Sequence, residues 1–208
     1  MDETSARHWV ERSLDVPRET MERLDAFADF LREENARQNL VSRTSLEALW
    51  SRHIADSAQL LHWAPPHADW VDLGSGAGFP GLVVAALRRG PMTLVESRKL
   101  RVAFLQGAAG ILGVTATVEI AATAVERMDS RPFAVISARA FAALPRLFEL
   151  GARFSTAKTL WILPKGRHAR SELEAAESSW QGDFRIVPSV TDPGAGIILV
   201  KDLKRKRA

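Results

Sequence analysis

The chain contains no cysteine and no tyrosine. The lack of cysteine excludes a disulfide framework, a cysteine-ligated zinc site and a thiol nucleophile. No apolar run approaches the roughly 18 to 20 residues that a membrane-spanning helix needs. Residues 1–12 are polar and of mixed charge, unlike a signal or transit peptide. These absences predict a soluble, cytoplasmic protein with no membrane partner.

A large excess of one charge is also missing from most of the chain. The 208 residues carry 28 basic and 25 acidic side chains. The last eight residues hold five of the basic side chains, so the rest of the chain is close to neutral. The basic tail, residues 204–208, is consistent with a nucleic-acid partner and equally with a solvated chain end.

The hydrophobic pattern changes near residue 66. Residues 1–66 predict a helical lobe, with one helix from Arg18 to about Asn39 and another over 46–61, capped by Thr44 or Ser45. Residues 67–203 alternate short apolar runs with helical patterns, which predicts an α/β domain with a mostly parallel sheet. Strands are expected near 70–73, 92–96, 115–120, 134–137 and 159–163, with helices near 80–89, 99–112 and 141–152. Asp192-Pro193-Gly194 predicts the turn of an antiparallel C-terminal hairpin.

A glycine-rich loop follows the first predicted strand. Gly74, Gly76 and Gly78 permit positive φ and let a ligand lie against bare main chain. Gly76 to Gly81 spells the dinucleotide fingerprint G-x-G-x-x-G. An acid followed by three alternating glycines, Asp72 to Gly78, is instead typical of S-adenosylmethionine-dependent methyltransferases. The loop is therefore interpreted as a ligand loop.

Two acidic residues bear on the choice between these ligands. Glu96 closes the second strand, where an acid takes ribose hydroxyls in either class, or where it serves only as a helix N-terminal acid. Asp72 would repel a pyrophosphate but suits the ammonium end of a sulfonium ligand. The pattern therefore favours S-adenosylmethionine over a nicotinamide dinucleotide.

Five segments together resemble the RsmG family, also called GidB, of bacterial methyltransferases that act on N7 of a guanine in 16S ribosomal RNA. The segments are Asn39–Ser42, Arg52–Ser57, Asp72–Gly81, Ser137–Ala142 and Pro164–Gly166. The resemblance implies a Rossmann-like methyltransferase fold with S-adenosylmethionine as cofactor and the 16S rRNA or the small ribosomal subunit as partner. It also implies a set of cofactor-binding residues: Gly74, Gly76, Gly78, Phe79, Glu96, Val125, Glu126 and Arg139. The chain departs from the family pattern at Ala124, where an arginine is common, and in the spacing of Arg98, Lys99 and Arg101.

The implied chemistry needs no acid or base catalyst. Guanine N7 carries a free in-plane lone pair, so it can displace the methyl group directly, and catalysis reduces to positioning. We therefore name no catalytic residue, and the scattered histidines predict no metal site. Because a donor to N7 would block the reacting atom, we expect one to O6 alone, with Arg139 and Lys165 as candidates. Phe79 or Phe141 could stack on the base, although ordinary packing explains Phe141 equally well.

A polar set on the second lobe helix is a further candidate for RNA contact. Arg52 and Asp56 lie four residues apart, as do His53 and Ser57, so each pair is expected to meet on one helix face. The set could instead join the helical lobe to the glycine loop, or form an ordinary surface ion pair. His53 also falls on the apolar stripe, which is typical of a buried, hydrogen-bonded histidine.

Three alternatives to a monomeric rRNA methyltransferase remain open at this point. A small-molecule methyltransferase on the same scaffold would carry an apolar pocket in the helical lobe. A nicotinamide-dependent dehydrogenase is disfavoured by Asp72 and the C-terminal hairpin. A non-catalytic RNA-binding assembly factor would bind RNA in a salt-sensitive way without transferring methyl groups.

Overall fold

Seven strands form a single sheet in the computed structural model, which describes residues 1–206. They are β1 (Trp70–Leu73), β2 (Met92–Val95), β3 (Val118–Ala121), β4 (Val135–Ser137), β5 (Leu160–Lys165), β6 (Trp180–Pro188) and β7 (Gly196–Arg205). Their order is β3-β2-β1-β4-β5-β7-β6. The first five strands are parallel, and β7 is antiparallel to both β5 and β6. The predicted mostly parallel sheet and the antiparallel C-terminal hairpin are both confirmed.

Eight α-helices surround the sheet in the described part of the chain. They are α1 (Glu3–Ser13), α2 (Arg18–Gln38), α3 (Arg43–Glu47), α4 (Asp56–Ala58), α5 (Gly81–Leu87), α6 (Lys99–Leu112), α7 (Leu144–Gly151) and α8 (Ala169–Glu177). α2 ends where Asn39 turns left-handed, and α6 ends in the same way at Gly113. The helix predicted from residue 141 begins only at Leu144: Ala143 is extended, with a ψ of 148°, and Pro145 is accommodated in the first helical turn, where its missing N–H costs no hydrogen bond.

The two faces of the sheet bury different sets of side chains. Successive strand residues point to opposite faces, so Trp70 packs with α1, α2, α5 and α6, whereas Val71 packs with α7 and α8. The N-terminal helices therefore share one core with two helices of the α/β part. The predicted division into units at residue 66 stays a prediction.

The single helix predicted over residues 46–61 is wrong. α3 is capped by Ser42, not by Thr44 or Ser45, and ends at Glu47. A π-helical segment, Trp50–Ala55, then leads into α4 and a 3-10 turn, Gln59–His62. The physical reason is Glu3 of α1, whose carboxylate accepts hydrogen bonds from the amides of Trp50 (2.9 Å) and Ser51 (2.8 Å). This distant cap starts a new helical segment inside the predicted one.

The C-terminus differs from the predicted tail. Lys204 and Arg205 are the last residues of β7, and the amide of Lys206 donates to the carbonyl of Ser179 at 2.9 Å. Arg207 and Ala208 lie outside the described residues. Within residues 1–206, no helix has the length and apolar character needed to span a bilayer.

Candidate functional site

The glycine loop connects the carboxyl end of β1 with α5. Gly74, Gly76 and Gly78 have φ values of 72°, 55° and 85°, a conformation that other residues rarely adopt. Gly76 is buried, and the nearest atom to an added Cβ would be Nη1 of Arg101, at 3.5 Å, an ordinary contact with the end of a flexible side chain. The role of its main chain in holding a ligand stays a prediction.

A side chain at Gly74 would have no room, and the predicted contact of its main chain with the cofactor stays a prediction. A Cβ on Gly74 would lie 2.2 Å from Cδ2 of Phe141. Phe141 precedes α7 and is partly buried against the core on that face of the sheet. Its ring thus packs on the glycine loop, a role that sequence reasoning did not assign to it.

Asp72 supports the loop from within the sheet. Its side chain is fully buried, its Oδ1 accepts from the hydroxyl of Ser137 (2.7 Å) and its Oδ2 accepts from the amide of Gly81 (3.3 Å). The indole of Trp70 donates to the same Ser137 hydroxyl at 2.9 Å. Burial raises the pKa of Asp72 to about 6, although these hydrogen bonds oppose the shift. Each oxygen of this fully buried carboxylate therefore has a partner within the protein, and the expected contact of Asp72 with a ligand ammonium stays a prediction.

Glu96 lies at the end of β2 with its carboxylate turned towards the glycine loop. Oε1 accepts from the amides of Ser97 and Arg98, both at 2.8 Å, and Oε2 accepts from the amide of Gly76 at 3.1 Å. A carboxylate offers about four acceptor positions, of which the three amides take three; Nη1 of Arg101 also lies 3.9 Å from Oε2. The geometry is compatible with the predicted role of Glu96.

Val125 and Glu126 lie in a 3-10 turn, Val125–Arg127, beyond the end of β3. Val125 is buried, and its carbonyl accepts a hydrogen bond from Arg153. Glu126 is exposed, with its carboxylate 3.6 Å from Arg146 of α7. The turn is at the same sheet edge as Glu96, and its assignment to the adenine stays a prediction.

Arg139 follows β4 and makes its contacts with the helical lobe. Its Nη1 donates to the carbonyl of Arg52 (3.0 Å) and lies 3.6 Å from Oδ2 of Asp56, while its Nη2 donates to Nδ1 of His53. Only 19% of the side chain is exposed. Burial lowers the pKa of Arg139, and the nearby carboxylates of Asp56 and Asp72 oppose the shift. We call Arg139, His53 and Asp56 the Arg139 cluster.

His53 is buried, as its position on the apolar stripe predicts. Its ring stacks on Phe79, with the centroids 4.7 Å apart. Burial, together with the charges of Arg139 and Arg52, lowers the pKa of His53 to about 3, so the ring is neutral near pH 7. Because Nδ1 accepts from Arg139, the proton is assigned to Nε2. Phe79 is only 3% exposed and lies between His53 and Phe27, so its ring is a packing residue and is not available for stacking on a base.

The pairs predicted four residues apart do not form. Asp56 faces Arg139 rather than Arg52, and the hydroxyl of Ser57 donates to the His53 carbonyl rather than to its ring. The reason is the π-helical segment, whose wider turns change which side chains share a face. A contact between the helical lobe and the glycine loop is present in the stacking of His53 on Phe79, and direct RNA contact by this set stays a prediction.

Two clefts meet at Arg139 and Lys165. The first, about 590 Å³, lies between the helical lobe and the β6–β7 turn, and its walls include Arg52, His53, Asp56 and Thr191. The second, about 480 Å³, includes Phe141 and Glu172. Lys165 is not a free cation, because its Nζ lies 2.6 Å from Oε2 of Glu172. Arg52, in contrast, is exposed and forms no ion pair within the described residues.

Sequence reasoning missed Thr191, which lines the first cleft, and Gln59, a buried residue of the lobe that contacts Asp56. Oδ1 of Asp56 accepts from the hydroxyl of Thr191 (2.9 Å) and from the amide of Gln59 (2.8 Å). Gln59 also accepts from the amide of Val190 at 2.9 Å, which fixes the β6–β7 turn to the lobe. No sequence signal links the β6–β7 turn to the helical lobe, because the residues in contact lie more than a hundred positions apart.

No group of three or more histidine, aspartate or glutamate side chains in residues 1–206 is arranged to hold a metal ion. The glycine loop, with its positive φ values, and the carboxylate of Glu96 lie together at the carboxyl edge of the sheet, where folds of this kind bind an adenosine-containing ligand. The residues present therefore suit S-adenosylmethionine.

Comparison with known proteins identifies the same cofactor class. Solved structures with similar folds include an O-methyltransferase from Bacillus cereus in complex with SAH (TM-score 0.60, 16% identity, 95% of this chain and 97% of that one). Another is an RNA methyltransferase from Salinibacter ruber in complex with S-adenosyl-L-homocysteine (TM-score 0.56, 18% identity, 70% of this chain and 88% of that one). These likenesses establish the S-adenosylmethionine-dependent methyltransferase fold.

Similarity in sequence is much closer and covers nearly the whole chain. A protein named ribosomal RNA small subunit methyltransferase G from Rhizorhabdus wittichii is 51% identical, over 98% of this chain and 94% of its own length. The protein of the same name from Zymomonas mobilis is 45% identical, over 100% of this chain and 97% of its own length. The family model described as rRNA small subunit methyltransferase G, GidB, matches residues 20–196. The chain belongs to this methyltransferase family.

Proposed function

We propose that this chain transfers the methyl group of S-adenosylmethionine to N7 of a guanine in the 16S rRNA of the small ribosomal subunit. Membership of a family named for methylation of small-subunit rRNA supports the reaction and the substrate class. The observation that carries the proposal is the place of the first cleft. It opens at the carboxyl ends of β4 and β5 and is lined by Arg52 and Arg139.

The site is suited to a reaction that needs position rather than proton transfer. When bound, S-adenosylmethionine supplies an electrophilic methyl group on a positively charged sulfur, which N7 can displace in line. N7 carries no proton, so no side chain has to remove one. Two carboxylates beside the clefts are engaged with cations rather than free to act as a base: Asp56 faces Arg139, and Glu172 is paired with Lys165.

Arg139 is the better candidate for recognition of guanine O6. Lys165 is paired with Glu172 at 2.6 Å, and only 11% of its side chain is exposed. Arg139 keeps N–H groups that have no hydrogen-bond partner among the described residues, and it borders both clefts. One of these N–H groups can meet O6 and leave N7 free. The product base is cationic, and the Asp56 carboxylate offsets part of the positive charge nearby.

The helical lobe and the basic residues around the cleft would contact RNA phosphates. Double-helical RNA hides N7 in its deep major groove, so the target base is expected in a loop or extruded from the stack. We further propose that residues 1–66 form the target-binding lobe and that the protein acts as a monomer in the cytoplasm.

Methyl transfer from radiolabelled S-adenosylmethionine tests the proposal. The acceptors are small ribosomal subunits that lack their native 7-methylguanosine, with bulk RNA as the control. Label in 7-methylguanosine of the 16S rRNA is the expected result. Absence of label, with cofactor binding intact by calorimetry, would overturn the rRNA activity and leave small-molecule methylation or RNA binding alone.

A further inference from the structure

We propose that Asp56 is a positioning residue for methyl transfer, which acts by fixing the guanidinium of Arg139 at the meeting point of the two clefts. The inference rests on the proposed function and extends it to a residue outside the cofactor loop. It is carried by the contacts of the Asp56 carboxylate, which join three separate parts of the fold.

The carboxylate of Asp56 has two distinct sides. Oδ1 accepts from Gln59 (2.8 Å) in the helical lobe and from Thr191 (2.9 Å) in the β6–β7 turn. Oδ2 faces Nη1 of Arg139 at 3.6 Å. The two neutral donors therefore hold the carboxylate in one orientation, and that orientation presents its charge to the guanidinium.

Asp56 fixes Arg139 together with two other acceptors. The carbonyl of Arg52 takes one N–H of Nη1, and Nδ1 of His53 takes an N–H of Nη2. Both are neutral acceptors, because the pKa of His53 is lowered by burial to about 3. Asp56 is thus the only negative charge in contact with this guanidinium among residues 1–206. Without it, a cation with 19% of its side chain exposed would have a stronger preference for solvent.

The consequence for the reaction is geometric. Alignment of a nucleophile with a methyl group depends on small displacements, and an error of about 1 Å can cost roughly 100-fold in rate. An arginine that moves towards solvent still attracts RNA, but it no longer holds the base at a fixed distance from the methyl donor. Loss of Asp56 should therefore lower the rate of the chemical step more than the affinity for either substrate.

The test compares Asp56→Asn with the wild type in single-turnover and steady-state methyl transfer to small subunits. Asparagine keeps an oxygen for Gln59 and Thr191, and it replaces the charged oxygen that faces Arg139 with an NH2 group. We expect kcat to fall about 10- to 30-fold, while KM for subunits and the affinity for S-adenosylmethionine change by no more than about twofold. Asp25→Asn is the matched control, because it removes another aspartate of the lobe, paired with Arg7 at 2.7 Å, and should leave kcat unchanged.

A double-mutant cycle shows whether Asp56 acts through Arg139. Arg139→Gln alone is expected to lower kcat, and Asp56→Asn added to it should cost nothing further, because the charge has lost its partner. Additive effects would overturn the inference, as would an Asp56→Asn enzyme with wild-type kcat or one that loses only thermal stability or cofactor affinity. Absence of transfer by the wild type would overturn the proposed function and this inference with it.

Discussion

The glycine loop and the Arg139 cluster lie at the same edge of the sheet but are built in opposite ways. The loop is one stretch of chain, and the amide of Gly76 within it donates to the carboxylate of Glu96. The cluster is made of side chains from the π-helical segment, α4 and the end of β4, and the β6–β7 turn supports it through Thr191. The loop depends on main-chain conformation, and the cluster depends on contacts between side chains of distant segments.

The two regions also differ in the direction in which burial shifts the pKa of a titratable side chain. Asp72, beneath the loop, is an acid whose pKa burial raises to about 6, and its hydrogen bonds come from neutral donors. His53, in the cluster, is a base whose pKa is lowered to about 3 by burial and by two neighbouring arginines. Acid therefore acts on them in opposite directions, and this difference can be measured.

The largest expected effect is loss of cofactor binding in Gly74→Val. The new side chain would collide with Phe141, since even a Cβ would lie 2.2 Å from that ring, and the φ of 72° adds backbone strain of about 1 to 2 kcal/mol. Calorimetry with S-adenosylmethionine should detect no binding. Gly110→Ala is the control, because nothing lies within 4 Å of its Cβ position in α6. Unchanged cofactor affinity in Gly74→Val would show that the ligand does not use this loop.

Titration of Asp72 and of His53 should change the stability of the fold in opposite directions. Between about pH 6 and about pH 4, Asp72 takes up a proton in the folded chain only, which stabilises the fold as pH falls. Over the same window His53 takes up a proton in the unfolded chain only, which destabilises the fold. The two effects offset each other in the wild type.

Asp72→Asn removes the first of these effects. As the pH falls through this window, the free energy of unfolding of Asp72→Asn should decrease more steeply than that of the wild type, by about 1.4 kcal/mol per pH unit. His53→Phe keeps an aromatic ring over Phe79 and should change the slope in the opposite sense. Urea titrations at a series of pH values give both slopes. Parallel curves for Asp72→Asn and the wild type would contradict the raised pKa of Asp72.

The same contrast explains what the sequence could and could not predict. The loop was predictable because its signal is local: alternating glycines after an apolar run and an acid at the end of the next strand. The Arg139 cluster was not, because Glu3 starts a new helical segment at Trp50 and thereby redirects Asp56 from Arg52 to Arg139. Phe141 was missed as a partner of Gly74 for a related reason, since contacts between distant segments leave no local pattern.

A smaller effect is expected from Glu96→Gln. The substitution keeps one acceptor oxygen but removes the negative charge of the carboxylate, which accepts hydrogen bonds from the amides of Gly76, Ser97 and Arg98. Loss of one charge-assisted hydrogen bond to the ribose should weaken S-adenosylmethionine binding about 10- to 30-fold. Calorimetry with S-adenosylmethionine and with methionine alone separates the adenosine end from the amino-acid end. An equal loss for both ligands would place Glu96 in a purely structural role.

The smallest effect is expected from Arg52→Ala, which tests whether the first cleft, beside the Arg139 cluster, binds RNA. The side chain is exposed at the first cleft, while its carbonyl, which holds Arg139, remains in the variant. Removing one phosphate contact should weaken binding to small subunits a few-fold and lower the slope of log affinity against log salt by about 1. Arg43→Ala is the control, because Arg43 is also an exposed arginine of the lobe but lines neither cleft. Cofactor affinity should not change in either variant, because the contact of Arg52 with the α/β part is made by its main chain. A salt slope that falls equally for both arginines would assign the RNA affinity to diffuse charge on the lobe rather than to the cleft.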